Sequence, residues 1–259
     1  MVGINDQEKV VEIGEYKNIY KNEDSHFFYT STHYLVEKLI RKYVRNGKLK
    51  ILDAGCGTGG LMKKLSEFWR VVGIDFSPEA IKYAKKRGLD VEQASIQKIP
   101  FKRGAFDVVT SIDVLYHLAV TDDVSALKEI SRVLKPRGVL ILRVPANKFL
   151  MSAHDVHVHT ARRYNKKDLE NKFRRAGFKI KFISYIHSPI FPISLIRRLV
   201  HQSAGSTVGR VNPVLNTFLT AVFKLEAEII SKGITMPFGQ GLIAVATPSR
   251  QSSPGQKRR

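Results

Sequence analysis

The chain has 259 residues, with 43 Lys+Arg against 23 Asp+Glu, giving a formal net charge of +20. A hydrophobic share of 43% suits a protein with a buried core and excludes a wholly disordered basic chain. A single cysteine excludes a disulfide framework, and no run reaches the roughly 20 apolar residues needed to span a membrane. The first ten residues mix charges around no apolar centre, so no signal peptide is expected and the cytoplasm is the default location.

In chain order, Leu35, Val36, Leu39, Ile40, Tyr43 and Val44 share one face of a predicted helix that Asn46-Gly47 stops. A strand over 50–53 runs into a glycine-rich turn, followed by a helix over 61–68 and a strand over 70–75. Ser77 at the N-cap and Pro78 at the first helical position start the next helix, which Gly88 ends. Further strands are predicted over 90–94, 106–111, 139–144, 178–186 and 242–246, with helices over 122–134 and 166–176. Strands alternating with helices predict a mostly parallel seven-stranded sheet covered by helices on both faces. Residues 1–47 form an N-terminal helical lid segment in this reading and 48–248 the main domain. Within it, 188–240 is an apolar, proline-punctuated insertion read as a helical cap, and 249–259 is a disordered basic tail.

Gly55-x-Gly57-x-Gly59 lies between a predicted strand and helix, where glycine lets a ligand approach the backbone closely. Gly55, Gly57 and Gly60 also satisfy the dinucleotide pattern G-x-G-x-x-G. Either ligand would use Asp75, at the end of the next strand, to hold ribose hydroxyls. Asp53 separates the two. A carboxylate two residues before the first glycine repels a pyrophosphate and attracts a cation. The charge pattern therefore favours a cationic, phosphate-free cofactor, and S-adenosylmethionine, with its ammonium and sulfonium, has that character.

Residues 51–59, Ile-Leu-Asp-Ala-Gly-Cys-Gly-Thr-Gly, resemble motif I of the class I S-adenosylmethionine-dependent methyltransferases. Residues 72–78 resemble the segment carrying their ribose-binding acid, and 106–109 and 129–138 are similar to their fourth strand and the approach to the fifth. The resemblance implies a Rossmann-like fold and S-adenosylmethionine held by Asp53, Gly55, Cys56, Gly57, Thr58, Gly59, Asp75, Phe76 and Ser111. Many relatives place an acid near the adenine amino group, ahead of a Pro-Phe pair. Here Pro100-Phe101 is that pair and Ser95 stands at the acid's position, leaving a weaker contact from Ser95 and the Ile96 backbone.

Acceptor-side residues are expected beyond the fourth and fifth strands, because ligands of α/β sheets bind there. His117 is a candidate base, and Tyr116 and Tyr29 are candidate substrate contacts. Tyr116 stands where many relatives have an acid, which argues against a metal. After the fifth strand, His154, Asp155, His159, Arg162, Arg163 and Tyr164 match a His-Asp…His-x-Arg-Arg-Tyr segment in a bacterial and archaeal branch of the family, sometimes linked to glycan or lipid-linked sugar pathways. That resemblance implies His154 as base, with Asp155 and His159 in support and Arg162, Arg163 and Tyr164 at the substrate. In an extended chain 155, 157 and 159 share a face that 154 does not, so no metal site is expected.

The reading is a methyltransferase acting on a small-molecule or lipid- or glycan-linked substrate, with oxygen as the acceptor. The basic 160–181 segment beside the apolar insertion suits peripheral contact with an anionic membrane. The +20 charge also admits RNA methylation, but no Asn/Asp-Pro-Pro-Tyr/Phe motif is present and Cys56 lies in the cofactor loop. A non-catalytic module that binds S-adenosylmethionine is the third reading.

Overall fold

A computed structural model describes residues 13–44, 47–151, 161–199 and 211–249. Two helices come first, α1 (Ile13–Asn22) and α2 (Phe27–Tyr43). The His26 side chain caps α2 by accepting the Phe28 N–H at 3.3 Å. The alternating region then gives β1 (Lys50–Ala54), α3 (Gly60–Ser66), β2 (Arg70–Asp75), α4 (Pro78–Lys86), β3 (Val91–Gln93), β4 (Phe106–Ile112), α5 (Asp123–Val133) and β5 (Leu134–Pro145). Ser77 and Pro78 start α4 as their chemistry dictates, the serine hydroxyl accepting the Ala80 N–H. The last part holds a short 3-10 turn (Lys148–Leu150), α6 (Lys166–Arg175), β6 (Phe178–Ile186), α7 (Phe191–Leu199), α8 (Pro213–Ser231) and β7 (Gly241–Pro248).

The seven strands form one sheet in the order β3-β2-β1-β4-β5-β7-β6. Only β7 is antiparallel, slotted between β5 and β6. Strand alternation divides the core into two layers. Leu52, Val109, Leu142 and Ala244 face α5 and α6, meeting Leu127, Ile130 and Phe173. Ile51, Val108, Ile141 and Ile243 face the opposite way, onto Leu39, Met62, Ala227 and Ile230. Within 188–240 the described residues form α7 and α8. Of these, α8 packs along α2, with Phe223 stacked on Phe27 at 5.3 Å, and so completes the second core layer. No helix among the described residues is long and apolar enough to cross a membrane.

The strand order reverses direction between β1 and β4. Crossovers leave the sheet on opposite sides there, which opens a crevice at the carboxyl ends of those two strands.

Candidate active site

The crevice is a cavity of about 310 Å³. Its floor is the turn after β1. Gly55 and Cys56 donate their N–H groups to the Ile74 carbonyl at 2.8 and 2.9 Å, folding the turn beneath β2. Gly55, Gly57 and Gly59 all have positive φ, at 91°, 54° and 91°, a conformation that glycine adopts without the Cβ clash. A Cβ on Gly55 would sit 2.2 Å from Val114 Cγ2, whereas one on Gly57 would meet nothing within 4 Å and would project into the cavity.

Two acids flank the floor. Asp75 ends β2 and accepts N–H bonds from Gly57 at 2.8 Å and Ser77 at 2.9 Å, which fixes its carboxylate at the cavity wall. Asp53 is 2% exposed and accepts the Thr110 hydroxyl at 2.7 Å. Burial pushes the Asp53 carboxyl up to about 7, the charges of Asp75 and Glu23 adding to the effect. Among the described residues, neither Asp53 nor Asp75 pairs with a cation.

The N-terminal helices form the roof. Glu15, Tyr16 and Ile19 of α1 line the cavity, and Glu23, just past α1, ties the roof to the floor. Glu23 accepts the Gly60 N–H at 3.0 Å, the Thr58 hydroxyl, and Arg87 Nη2 at 2.8 Å. Arg87 also reaches Asp24 at 2.9 Å, and its side chain is almost fully buried.

Aromatic side chains and imidazoles line much of the rest of the cavity. Phe28, Tyr29, Thr32 and His33 project from α2, and Tyr116 and His117 follow β4. His117 Nε2 lies 3.0 Å from the Asp113 carbonyl and donates its N–H to it. Enclosure pushes the His33 imidazole down to about 4, so it is neutral near pH 7. Burial likewise holds the Tyr29 phenol well above its ordinary value, and it keeps its proton.

Sheet register places Arg143 beside Ile112, and its guanidinium lies over the Phe28 ring at 4.7 Å. Arg143 pairs with Asp113 and approaches His187 Nδ1 at 3.3 Å. Burial and the charge of Arg163 lower it to about 9. Asp113 and His187 both hold φ near +60°, at 59° and 58°, which is uncommon for residues with a Cβ. The His187 N–H is held by Glu226 of α8 at 2.9 Å.

The cofactor-side expectations largely meet here: Asp53, Gly55, Cys56, Gly57, Thr58 and Asp75 line the cavity, as do Phe76, Ser95 and Ile96. Gly59 does not. It is the left-handed N-cap of α3, where a Cβ would lie 2.4 Å from Leu89. Ser111 is fully buried within β4, off the cavity wall, and its hydroxyl has no partner among the described residues. On the acceptor side, Tyr29, Tyr116 and His117 line the cavity.

Arg162, Arg163 and Tyr164 do not reach it, and for the first and last the reason is Asp123. This buried acid at the start of α5 accepts Tyr164 Oη at 3.2 Å and Lys172 Nζ at 2.8 Å, and pairs with Arg162 at 3.6 Å. Arg162 also donates to the Val120 carbonyl, and Arg163 to the Ala146 carbonyl. His154, Asp155 and His159 lie outside the described residues. Tyr16, His33, Asp113 and Arg143 are wall residues that sequence reasoning missed. For His33 a signal existed: Tyr29 and His33 stand four apart, sharing a helix face at the head of an otherwise apolar stripe.

A family model described as a methyltransferase domain matches residues 52–142. The demethylmenaquinone methyltransferase of Lactococcus lactis subsp. lactis is 40% identical over 105 residues, covering 36% of this chain and 40% of that protein. The chain thus spans well under half of that relative. An uncharacterised protein of Methanocaldococcus jannaschii is 30% identical over 161 residues, covering 61% of this chain and 68% of its own length. Among solved structures, a Haloferax volcanii protein in complex with a methyltransferase activator aligns over 92% of this chain and 95% of its own, with a TM-score of 0.60 and 20% identity, a likeness of fold.

A glycine-floored crevice at the sheet's switch point, ringed by acids, defines a Rossmann-like domain for a cationic nucleoside. The chain belongs to the class I S-adenosylmethionine-dependent methyltransferases. S-adenosylmethionine is that family's cofactor, and the cavity fits it. The open space above Gly57 admits a ligand against the backbone, and two carboxylates without cation partners suit a ligand carrying positive charge.

Proposed function

We propose that the chain transfers a methyl group from S-adenosylmethionine to an oxygen of a small-molecule or lipid- or glycan-linked acceptor. The observation that carries the reading is the cavity's lining: the carboxylates of Asp53 and Asp75, which have no cation partner among the described residues, stand by the glycine turn, and Tyr29, His33, Tyr116 and His117 line the same cavity. When bound, the cofactor supplies a methyl group already activated on a sulfonium. The protein's share is therefore to orient the acceptor, exclude water and receive a proton. Orientation of this kind supplies roughly 7–11 kcal/mol of the barrier when reacting groups are held in line.

Asp53 and Asp75 hold the cofactor's positive and hydroxyl groups. Tyr29 and Tyr116 pack the acceptor, their rings keeping water out. His117 takes the acceptor's proton, its ring oriented by the Asp113 carbonyl at Nε2. His33, neutral and on the same wall, orients the acceptor hydroxyl as a hydrogen-bond partner. An oxygen acceptor gains from such a base, contributing about 10²–10⁴-fold.

The test has two stages. Calorimetry with S-adenosylmethionine should show one site per chain, lost in Asp75→Ala. Methyl-labelled cofactor incubated with a cell extract should then deliver label to the aqueous or lipid fraction, and His117→Gln should lower the rate about 10²-fold or more while sparing cofactor affinity. Absence of cofactor binding would end the reading. Label confined to nucleic acid would replace the acceptor class, and label nowhere would favour a regulatory module.

A further inference from the structure

Outside the core and the cavity lining, the described residues expose a group of apolar side chains on and around α7. α7 exposes Ile193 and Ile196, at 53% and 60%. Beside it the rings of Phe149, Phe191 and Phe238 meet, with centroid separations of 6.3 Å and 5.4 Å. Phe149 and Phe238 are themselves 54% and 44% exposed. The cluster draws on three separate segments: the 3-10 turn after β5, α7, and the chain leading into β7. Single exposed apolar side chains are ordinary on any surface, but a convergence of this kind marks a contact surface.

The charge in this part of the chain is one-sided. From residue 171 to 225 the sequence contains no Asp or Glu and nine Lys or Arg. α7 itself carries Arg197 and Arg198 and no acid. These two features together select the partner. A second copy of the chain would bring like charge onto like charge. RNA would neutralise the cations and its bases would stack on the rings, but it would leave the aliphatic Ile193 and Ile196 in water. An anionic bilayer satisfies both, because headgroups meet the cations while the acyl boundary takes up the isoleucines and phenylalanines.

We propose that this face docks on an anionic membrane surface through α7 and the Phe149–Phe191–Phe238 cluster. Docking needs no cofactor, so it can hold or fail separately from methyl transfer. Where both hold, the acceptor comes from the bilayer or its surface.

The probe is sedimentation of the full chain with phosphatidylcholine vesicles, alone or with roughly one-third phosphatidylglycerol. The chain should pellet with the anionic vesicles at low salt, stay in solution with neutral ones, and be released as salt rises. Ile193→Glu combined with Ile196→Glu should weaken vesicle affinity on the order of tenfold or more, with circular dichroism and S-adenosylmethionine binding unchanged. Phe149→Ser, in a different segment, should weaken it in the same direction and covers the case in which the double variant fails to fold. A chain that stays in solution at low salt would overturn the proposal, as would folded variants that pellet like the parent. Retention on RNA without pelleting would reassign the surface to nucleic acid. A dimer dissolved by the isoleucine changes, again without pelleting, would reassign it to a second copy.

Discussion

Asp53→Asn isolates the electrostatic contribution to cofactor binding. Asparagine keeps the side chain's shape and an oxygen for the Thr110 hydroxyl now held at 2.7 Å, while removing one negative charge. Two unit charges about 4 Å apart interact by roughly 4 kcal/mol at an effective dielectric of 20. With partial solvent access, a loss of about 2–4 kcal/mol is expected at pH 8, or roughly 30- to 1,000-fold in affinity. The pH dependence gives the sharper test. In the free protein the Asp53 carboxyl is raised to about 7, and a cationic ligand favours its ionised form. Binding below that value therefore releases a proton, and affinity rises with pH until the group is already ionised. At pH 5, ionising Asp53 costs about 2.7 kcal/mol, two units below its raised value. The advantage of the parent over Asp53→Asn should then shrink to about tenfold or less. Calorimetry at both pH values, in buffers of different ionisation enthalpy, reads affinity and proton release together. An affinity loss of equal size at pH 5 and pH 8 would refute the reasoning, as would no loss at all. Without ligand the raised value lowers stability as pH climbs from about 4 to about 7, so the ligand-free variant should be at least as stable as the parent at pH 8.

Gly57→Ala and Gly55→Ala should separate binding from folding. The first places a methyl group in open cavity space, costing about 1 kcal/mol for its left-handed backbone and at least tenfold in cofactor affinity by calorimetry. The second drives a Cβ to within 2.2 Å of Val114, and denaturant unfolding should show a larger loss of about 2–4 kcal/mol. Glu23→Ala removes the acceptor shared by Thr58, Gly60 and Arg87; a loss of about 2–4 kcal/mol and faster cofactor release in stopped flow are expected. Tyr164→Phe deletes a hydroxyl bonded to Asp123 and the Leu115 carbonyl. It should cost about 1–2 kcal/mol of stability and leave turnover unchanged, whereas a substrate role would show in KM.

Strands and the cofactor side were the legible parts, because their information is local. Alternation in Ile51-Leu52 and Val108-Val109 assigns each residue to one core layer, and Ser77-Pro78 writes a helix start into two residues. Glycines with positive φ announce a turn wherever they stand. The acceptor side was harder to read because it is assembled over distance. Arg143 reaches the cavity only because β4 pairs with β5 so that Ile112 lies opposite it, a register no short window contains. Tyr164 and Arg162 were expected at the substrate from the resemblance of their segment to a family motif. What decides their fate is Asp123, some forty residues earlier. The sequence marked a helix over the later part of α2, but the contact of the roof with the glycine turn depends on Glu23 meeting Thr58 and Arg87, again a long-range match.

The position of β7 bears on how the chain is made. It is synthesised after β5 and β6, yet it sits between them. Until it arrives, both neighbours present unsatisfied backbone edges during translation. Such edges invite pairing with other nascent chains. Deleting β7, which lies well away from the glycine turn, should therefore harm recovery of intact protein more than deleting α1.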